Sequence, residues 1–155
     1  MIVVTEYFEE AAPDLVKIYF NTIHKVNCKD YNEKQLDAWA PTSSLEVDGW
    51  MKRFSRTKPL VALVEDQIVG FAEFEPNGHI DCFYCHHEWI GKGVGKTLVK
   101  EILSKARKDH LSLIFVEASI TAKSFFESQG FKVLKEQEVL IRGELLTNYK
   151  MEQIL

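Results

Sequence analysis

The sequence predicts an α/β domain built on a mixed, mostly antiparallel sheet of about seven strands with flanking helices. Three observations predict it. Strand-like and helix-like segments follow one another in the order β-α-α-β-β-β-α-β-α-β-β. The three central strands form a meander joined by tight turns, which excludes a doubly wound parallel sheet. A glycine turn, Gly91-Lys92-Gly93-Val94-Gly95, then connects a strand directly to a helix. At 155 residues, a single domain spanning 1–155 is the simplest organisation, and it is long enough to bury a core.

Each element has its own local signal. Ile2 to Thr5 reads as a short strand. The next helix starts between Glu9 and Asp14 and carries Leu15, Ile18, Tyr19, Ile23 and Val26 on one face. Residues 27–44 are irregular apart from a short helix from Glu33 to Trp39, ahead of Pro41. Leu45 to Arg56 reads as an amphipathic helix presenting Val47, Trp50, Met51 and Phe54. Leu60 to Glu65 and Ile68 to Phe74 form a hairpin about Asp66-Gln67. Pro76-Asn77-Gly78 turns into the strand that ends at Cys85. Beyond the glycine turn a helix runs to about Lys108 through Leu98, Val99, Ile102 and Leu103. Leu113 to Glu117 is a strand, and Thr121 to Gln129 is a helix stopped by Gly130. Phe131 to Val139 and Leu145 to Met151 are the last two strands.

Composition excludes several classes of function. The chain is 46% hydrophobic and 27% charged, with a net charge of −4 and no basic block. Nucleic acid is therefore not expected as a partner. No apolar run reaches the roughly 18 residues of a membrane span. The start, Met-Ile-Val-Val-Thr-Glu, lacks the basic region and apolar core of a signal peptide, so the expectation is cytoplasmic. Cys28, Cys82 and Cys85 are then read as reduced thiols. Cys82 and Cys85 spell C-x-x-C, and His86 completes a haem-attachment pattern. On a strand, however, residues three apart point to opposite faces, so neither a redox pair nor a haem clamp is expected. No metal site is expected either, because only one such cluster is present.

A strand, a glycine turn and a helix make an anion-binding arrangement. Glycine lets the backbone approach closely, and the first helical turn offers unpaired N–H groups at the positive end of its dipole. Gly95-Lys96-Thr97 matches the end of the nucleotide P-loop G-x-x-x-x-G-K-S/T, but its opening glycine would have to be residue 90, which is Ile90. A different likeness covers more of the chain. Phe83 to Gly95 resembles the acyl-CoA signature of the GNAT N-acetyltransferases, an apolar strand followed by Q/R-x-x-G-x-G/A at the head of a helix. Gly93 and Gly95 match its two glycine positions, and Ile90 stands at the Q/R position. Ala122 to Phe131, Ala-Lys-Ser-Phe-Phe-Glu-Ser-Gln-Gly-Phe, resembles the same family's A-x-x-F-Y-E-K-x-G-F helix. Leu146-Thr-Asn-Tyr-Lys-Met151 resembles its last strand, and the element order agrees across nearly the whole chain.

The resemblance implies the acyl-CoA N-acyltransferase fold and transfer of an acetyl group from acetyl-CoA to a primary amine, carried by a small molecule or a peptide. A homodimer stays open. It also implies that Gly91, Lys92, Gly93, Val94, Gly95 and Lys96 receive the pyrophosphate, and that Phe83, Tyr84 and Cys85 line the pantetheine arm. An N–H near Cys85 would polarise the thioester carbonyl. Ser119 and Phe126 stand where the family often has asparagine and tyrosine. Phe126 cannot donate a proton, so the general acid is unassigned among Tyr84, Tyr149, Ser124 and water. That gap motivates an alternative, a non-catalytic acyl-CoA sensor. A P-loop NTPase is a further alternative.

Acetyl transfer needs a base, because an amine with a pKa of about 10 is protonated at neutral pH. The strand before the glycine turn offers His79 and Asp81, two apart and so on one face, with Cys82 and Tyr84 expected on the other. Histidine has the better intrinsic pKa, at about 6.5. Asp81 would need desolvation to serve, or would orient His79. Tyr149 joins them as a catalytic candidate. Glu73, Glu75 and Glu117 are expected to be solvent-facing strand charges. Tyr31, Trp39, Trp50 and Phe54 are candidates for the acceptor wall; Trp39 is the better pocket candidate, whereas Trp50 and Phe54 are expected in the core.

Overall fold

A computed structural model describes residues 1–155. Seven strands form one sheet in the order β1-β2-β3-β4-β5-β7-β6. They are β1 (Ile2–Glu6), β2 (Leu60–Val64), β3 (Gln67–Phe74), β4 (His79–Cys85), β5 (Leu113–Ser119), β6 (Lys132–Ile141) and β7 (Glu144–Ile154). Every pairing is antiparallel except β4 with β5. The predicted mixed, mostly antiparallel sheet is therefore what forms. No helix is long and apolar enough to cross a membrane.

The helices cover both faces. On one side lie α1 (Ala12–Lys25), α2 (Glu33–Trp39) and α3 (Val47–Thr57); on the other lie α4 (Val94–Lys108) and α5 (Ile120–Ser128). Pro13 opens α1, where its missing N–H costs nothing, and Leu15, Ile18 and Ile23 supply the buried stripe. A reciprocal capping box between Asn32 and Gln35 starts α2. The start of α3 departs from expectation, because Thr42–Leu45 forms a separate short turn of helix before Val47. The hairpin turn between β2 and β3 sits one residue early, with Glu65 at positive φ. Three apolar clusters result. The largest joins Leu98, Val99 and Ile102 of α4 to Ile80, Ile114 and Met151 of the sheet, with Phe126 of α5. A second joins Leu15 and Phe54 to Phe71 and Cys82, and a third joins Ile23 and Leu36 to Leu146. Phe54 is fully buried, as expected.

The strand that carries the candidate base is irregular. Ala72 pairs with Phe83 and Phe74 with Ile80, so Asp81 and Cys82 together face the single residue Glu73. This is a β-bulge, and it shifts the side-chain alternation by one residue. Before it, Ile80 belongs to the α4 side; after it, Phe83 does. Cys82 and Tyr84 thereby join the α1–α3 side. The expectation that they lie opposite Asp81 is overturned, because strict two-residue alternation does not survive a bulge. Cys82 and Cys85 do fall on opposite faces, and all three cysteines are free.

Glu73 is also not a solvent-facing charge. It is fully buried. Arg53 of α3 donates to it through both Nε and Nη2, and Thr57 Oγ1 donates at 2.6 Å. Arg53 Nη2 also donates to Asp81 at 3.0 Å and lies 3.4 Å from Cys82 Sγ. Burial alone would raise the Glu73 pKa, but the bonds from Arg53 and Thr57 override it and hold the carboxyl below its usual range.

Between β4 and β5 the parallel pairing is confined to His79 with Phe115 and Ile80 with Val116. Past the bulge the two strands separate, so the sheet opens in its middle.

Two stability predictions follow from this packing. Glu73→Gln keeps the shape but removes the charge that Arg53 faces, and it should lower the urea-denaturation free energy by about 1–3 kcal/mol. A change under about 0.5 kcal/mol would show that the pair does not anchor α3. At Gly95 an added Cβ would meet Phe125 Cζ at 2.8 Å. Gly95→Ala should therefore cost about 1–3 kcal/mol despite the better helix propensity of alanine, and Phe125→Leu in the same chain should recover part of that loss.

Candidate active site

The opened sheet creates two cavities that meet. The first, of about 430 Å³, runs between β4 and the β5–α5 junction to the start of α4. Phe83, Tyr84 and Cys85 line it from β4, Ser119 and Phe126 from the other wall, and Gly91, Gly93, Val94, Gly95 and Lys96 from the glycine turn. Lys92 is not in its wall; its ammonium sits 5.1 Å over the Trp89 ring. The second cavity, of about 310 Å³, lies under α1 and α2 and the β6–β7 turn. Trp39, Asp81, Tyr84, Glu117 and Ser119 line both, so they mark the junction.

The mouth of the first cavity has the backbone geometry that favours an anion. Gly93 caps α4 at φ 90, with no side chain bonded to the helix start. The first-turn amides of α4 therefore lack intrahelical partners, and the dipole adds positive character there. The three glycines do different jobs. Gly91 and Gly93 adopt positive φ, whereas Gly95 is small because Phe125 packs against it.

The β4 side of the cleft offers backbone groups. His86 N–H donates to Val69 of β3 at 2.8 Å. By strand alternation, Phe83 and Cys85 turn their N–H groups the other way, into the opening. Thr22 Oγ1 donates to the Cys85 carbonyl at 2.7 Å and fixes that peptide. The opposite wall is set by Ser119, whose hydroxyl accepts from Ala122 N–H at 3.0 Å and caps α5. Phe126 is buried, 5.2 Å from Phe83 in an edge-on contact.

The predicted catalytic residues separate into two groups. Asp81 stands at the junction, with a half-exposed side chain bonded to Arg53. Burial raises its pKa most, Arg53 opposes this, and Glu73 adds to the rise; the net shift is upward. His79 lies outside both cavities. Its Nδ1 bonds Glu75 and its Nε2 bonds Glu117 at 2.9 Å, while the ring stacks on Phe115 at 4.9 Å. Burial pulls its pKa down, yet the bond to Glu75 and the charge and bond of Glu117 outweigh it and raise the value. With both ring nitrogens engaged by carboxylates, His79 has no free lone pair with which to accept a proton. Tyr149 is likewise outside both cavities. Its hydroxyl donates to Glu136 at 3.0 Å, and Lys123 covers its ring.

Sequence reasoning missed Arg53 and gave Glu117 too little weight. Arg53 carried no signal beyond a basic residue on a helix, and its role appears only where α3 crosses β3 and β4. Trp39 does line both cavities, and Tyr31 is buried, donating to the Thr147 carbonyl at 2.6 Å and accepting from Ile120 N–H. The two strand cysteines are inert. Burial pushes Cys85 up to about 12 and Cys82 well above the ordinary thiol value.

Similarity to known proteins agrees with this geometry. Residues 27–153 match the acetyltransferase (GNAT) domain family. The uncharacterized N-acetyltransferase YafP of Escherichia coli K12 is 31% identical over 137 residues, covering 88% of this chain and 85% of YafP. A GCN5-related N-acetyltransferase structure from Rhodopseudomonas palustris superposes with a TM-score of 0.92 at 30% identity, over 99% of this chain and 95% of that one. The PaiA N-acetyltransferase of Thermoplasma acidophilum, solved in complex with coenzyme A, shares the fold with a TM-score of 0.77 at 17% identity, over 100% of this chain and 99% of that one. A splayed mixed sheet, a glycine-led helix start at the split and a family match over most of its length together make this chain a member of the GNAT acetyltransferase family.

Proposed function

We propose that acetyl-CoA occupies the first cavity, that the amine acceptor enters through the second, and that Asp81 removes the amine proton at their junction. The observation that carries this reading is the position of Asp81, in the wall common to both cavities with its pKa raised. The coenzyme A bound to the Thermoplasma relative supports the choice of ligand. The unpaired amides from Gly93 to Lys96 suit a pyrophosphate, and Lys96 adds a cation beside them. The N–H groups of Phe83 and Cys85 suit a peptide-like arm paired to a strand edge. The Cys85 N–H is then the donor for the thioester carbonyl oxygen.

The reaction is a simple exchange of bonds. The amine nitrogen bonds to the acetyl carbon, the carbon–sulfur bond breaks, and coenzyme A leaves as thiolate. One ammonium proton passes to Asp81 before attack, directly or through one water, and the second nitrogen proton leaves to solvent as the adduct collapses. Phe126 has no proton to give the thiolate. Tyr84 carries a hydroxyl at the junction, though burial raises its pKa and makes it a weaker acid than a free tyrosine. Glu117, bound to His79, gives the site a second carboxylate. His79 is a positioning residue for Glu117 and links it to Glu75 near the surface.

Asp81→Asn should lower kcat/KM for an accepted amine by about 10²-fold, while acetyl-CoA still raises the melting temperature. Glu117→Gln should cost less than about tenfold. Release of free coenzyme A measures both, and equal loss in the two variants would remove Asp81 from the role of base.

The charge on His79 also sets a pH dependence of stability. Its folded pKa lies above the unfolded value of about 6.5. The stabilisation is complete below that value and is lost as pH rises through the folded pKa. Melting temperature should fall across that window in the wild type, and the slope should flatten in His79→Gln. An unchanged slope would show that His79 carries no charge in the folded protein.

A further inference from the structure

The acceptor cavity has an uneven charge pattern. At one end stand Asp81 and Glu117. Two arginines also line it, and they differ in what they already hold. Arg53 is committed, since its fork faces Glu73 and its remaining reach goes to Asp81. Arg142 has no carboxylate partner. Its recorded bond is from Nη1 to the Ala38 carbonyl at 2.7 Å, which steadies the guanidinium against the end of α2 and leaves the other N–H groups free.

The backbone under Arg142 gives a second, independent sign. Arg142 and Gly143 form the two-residue turn between β6 and β7, with φ of 44 and 86. Such turns favour Asn, Asp or Gly at the first position, because positive φ is unfavourable for a long side chain. Of the four non-glycine residues at positive φ, Lys58, Glu65, His110 and Arg142, only Arg142 lines this cavity. Tyr19 also lines this cavity and donates to the carbonyl of Trp39, at the junction, at 3.3 Å. They offer an apolar wall to the body of a ligand. A cavity of about 310 Å³ suits a small molecule better than a protein tail.

We infer that the acceptor is a small amine that also bears a carboxylate, with the acid group on Arg142 and the amine at Asp81. A guanidinium fork matches a carboxylate in bidentate fashion. The inference rests on the acetyl-transfer reading above and adds the substrate class to it. It also explains how an acidic junction can hold an amine in one direction: the acid group at the far end fixes which end of the molecule enters first.

Matched pairs that differ only by the carboxylate test it. Phenylalanine is compared with phenethylamine, and γ-aminobutyrate with propylamine, by release of free coenzyme A from acetyl-CoA. In at least one pair the acid-bearing member should have kcat/KM about tenfold or more above its partner. Arg142→Gln should abolish that preference, chiefly through KM, and Arg142→Lys should keep part of it. The N-acetylated acid of that pair should raise the melting temperature of the wild type and not of Arg142→Gln. Equal or better turnover of the decarboxylated members, or a preference unchanged in Arg142→Gln, overturns the inference and leaves acetyl transfer standing. No release with any of the four amines overturns it too. If acetyl-CoA also fails to raise the melting temperature, the reading beneath it falls as well.

Discussion

One buried carboxylate organises the middle of this protein. Glu73 sits opposite the bulge in β4, on the sheet face that α3 covers. A buried carboxylate is costly unless paired and hydrogen-bonded. Here Arg53 and Thr57, one helical turn apart on α3, both supply it. The requirement to satisfy Glu73 therefore fixes where α3 crosses the sheet. Arg53 Nη2, held in place by that requirement, then reaches Asp81 on the bulge. The bulge brings Asp81, Cys82 and Tyr84 to one face, and just beyond it β4 separates from β5. Helix docking, strand irregularity and the opening of the sheet thus meet at one place.

The fold was legible because its signals are local and repeated. Period-two runs marked the strands, period-3.6 faces marked the helices, and Gly130 marked a helix end. The element order alone then restricted the sheet to a mixed one. The bulge was not legible. No glycine stands at Asp81 or Cys82 to announce it, and it exists only in the pairing of β3 with β4. Every face assignment beyond it was therefore shifted by one residue. Glu73 was misread for a related reason: a glutamate near a strand end is usually solvated, and its partner lies on a helix twenty residues earlier in the chain.

The glycine turn was legible, and the surroundings of the candidate base were not. Backbone N–H groups would do any anion binding at the turn, so glycine spacing points to it directly. A proton acceptor depends instead on what surrounds each carboxylate and imidazole. His79 has the better intrinsic pKa, but Glu75 and Glu117 occupy both its nitrogens. Tyr149 faces Glu136 and Lys123, away from the cavities. Neither environment can be inferred from spacing along one strand, because Glu117 and Glu136 come from other strands.

The upward pKa shift of Asp81 looks paradoxical beside an arginine 3.0 Å away. Burial is the larger part of the answer, and charge counting supplies the rest. One guanidinium serves two carboxylates, and the buried one, Glu73, takes the bidentate face. Arg53, Glu73 and Asp81 together then carry a net charge of −1 in a partly desolvated place. Placing a proton on Asp81 neutralises the cluster, whereas a cluster of Arg53 and Asp81 alone would resist it. In the proposed mechanism the same arrangement would attract a protonated amine before any proton moves. Once a proton reached Asp81, that attraction would disappear, and the neutral nitrogen beside it would be free to attack. On that reading, an arginine shared unequally between Glu73 and Asp81 lets the buried ion pair of the fold add to what burial already does to the proposed base.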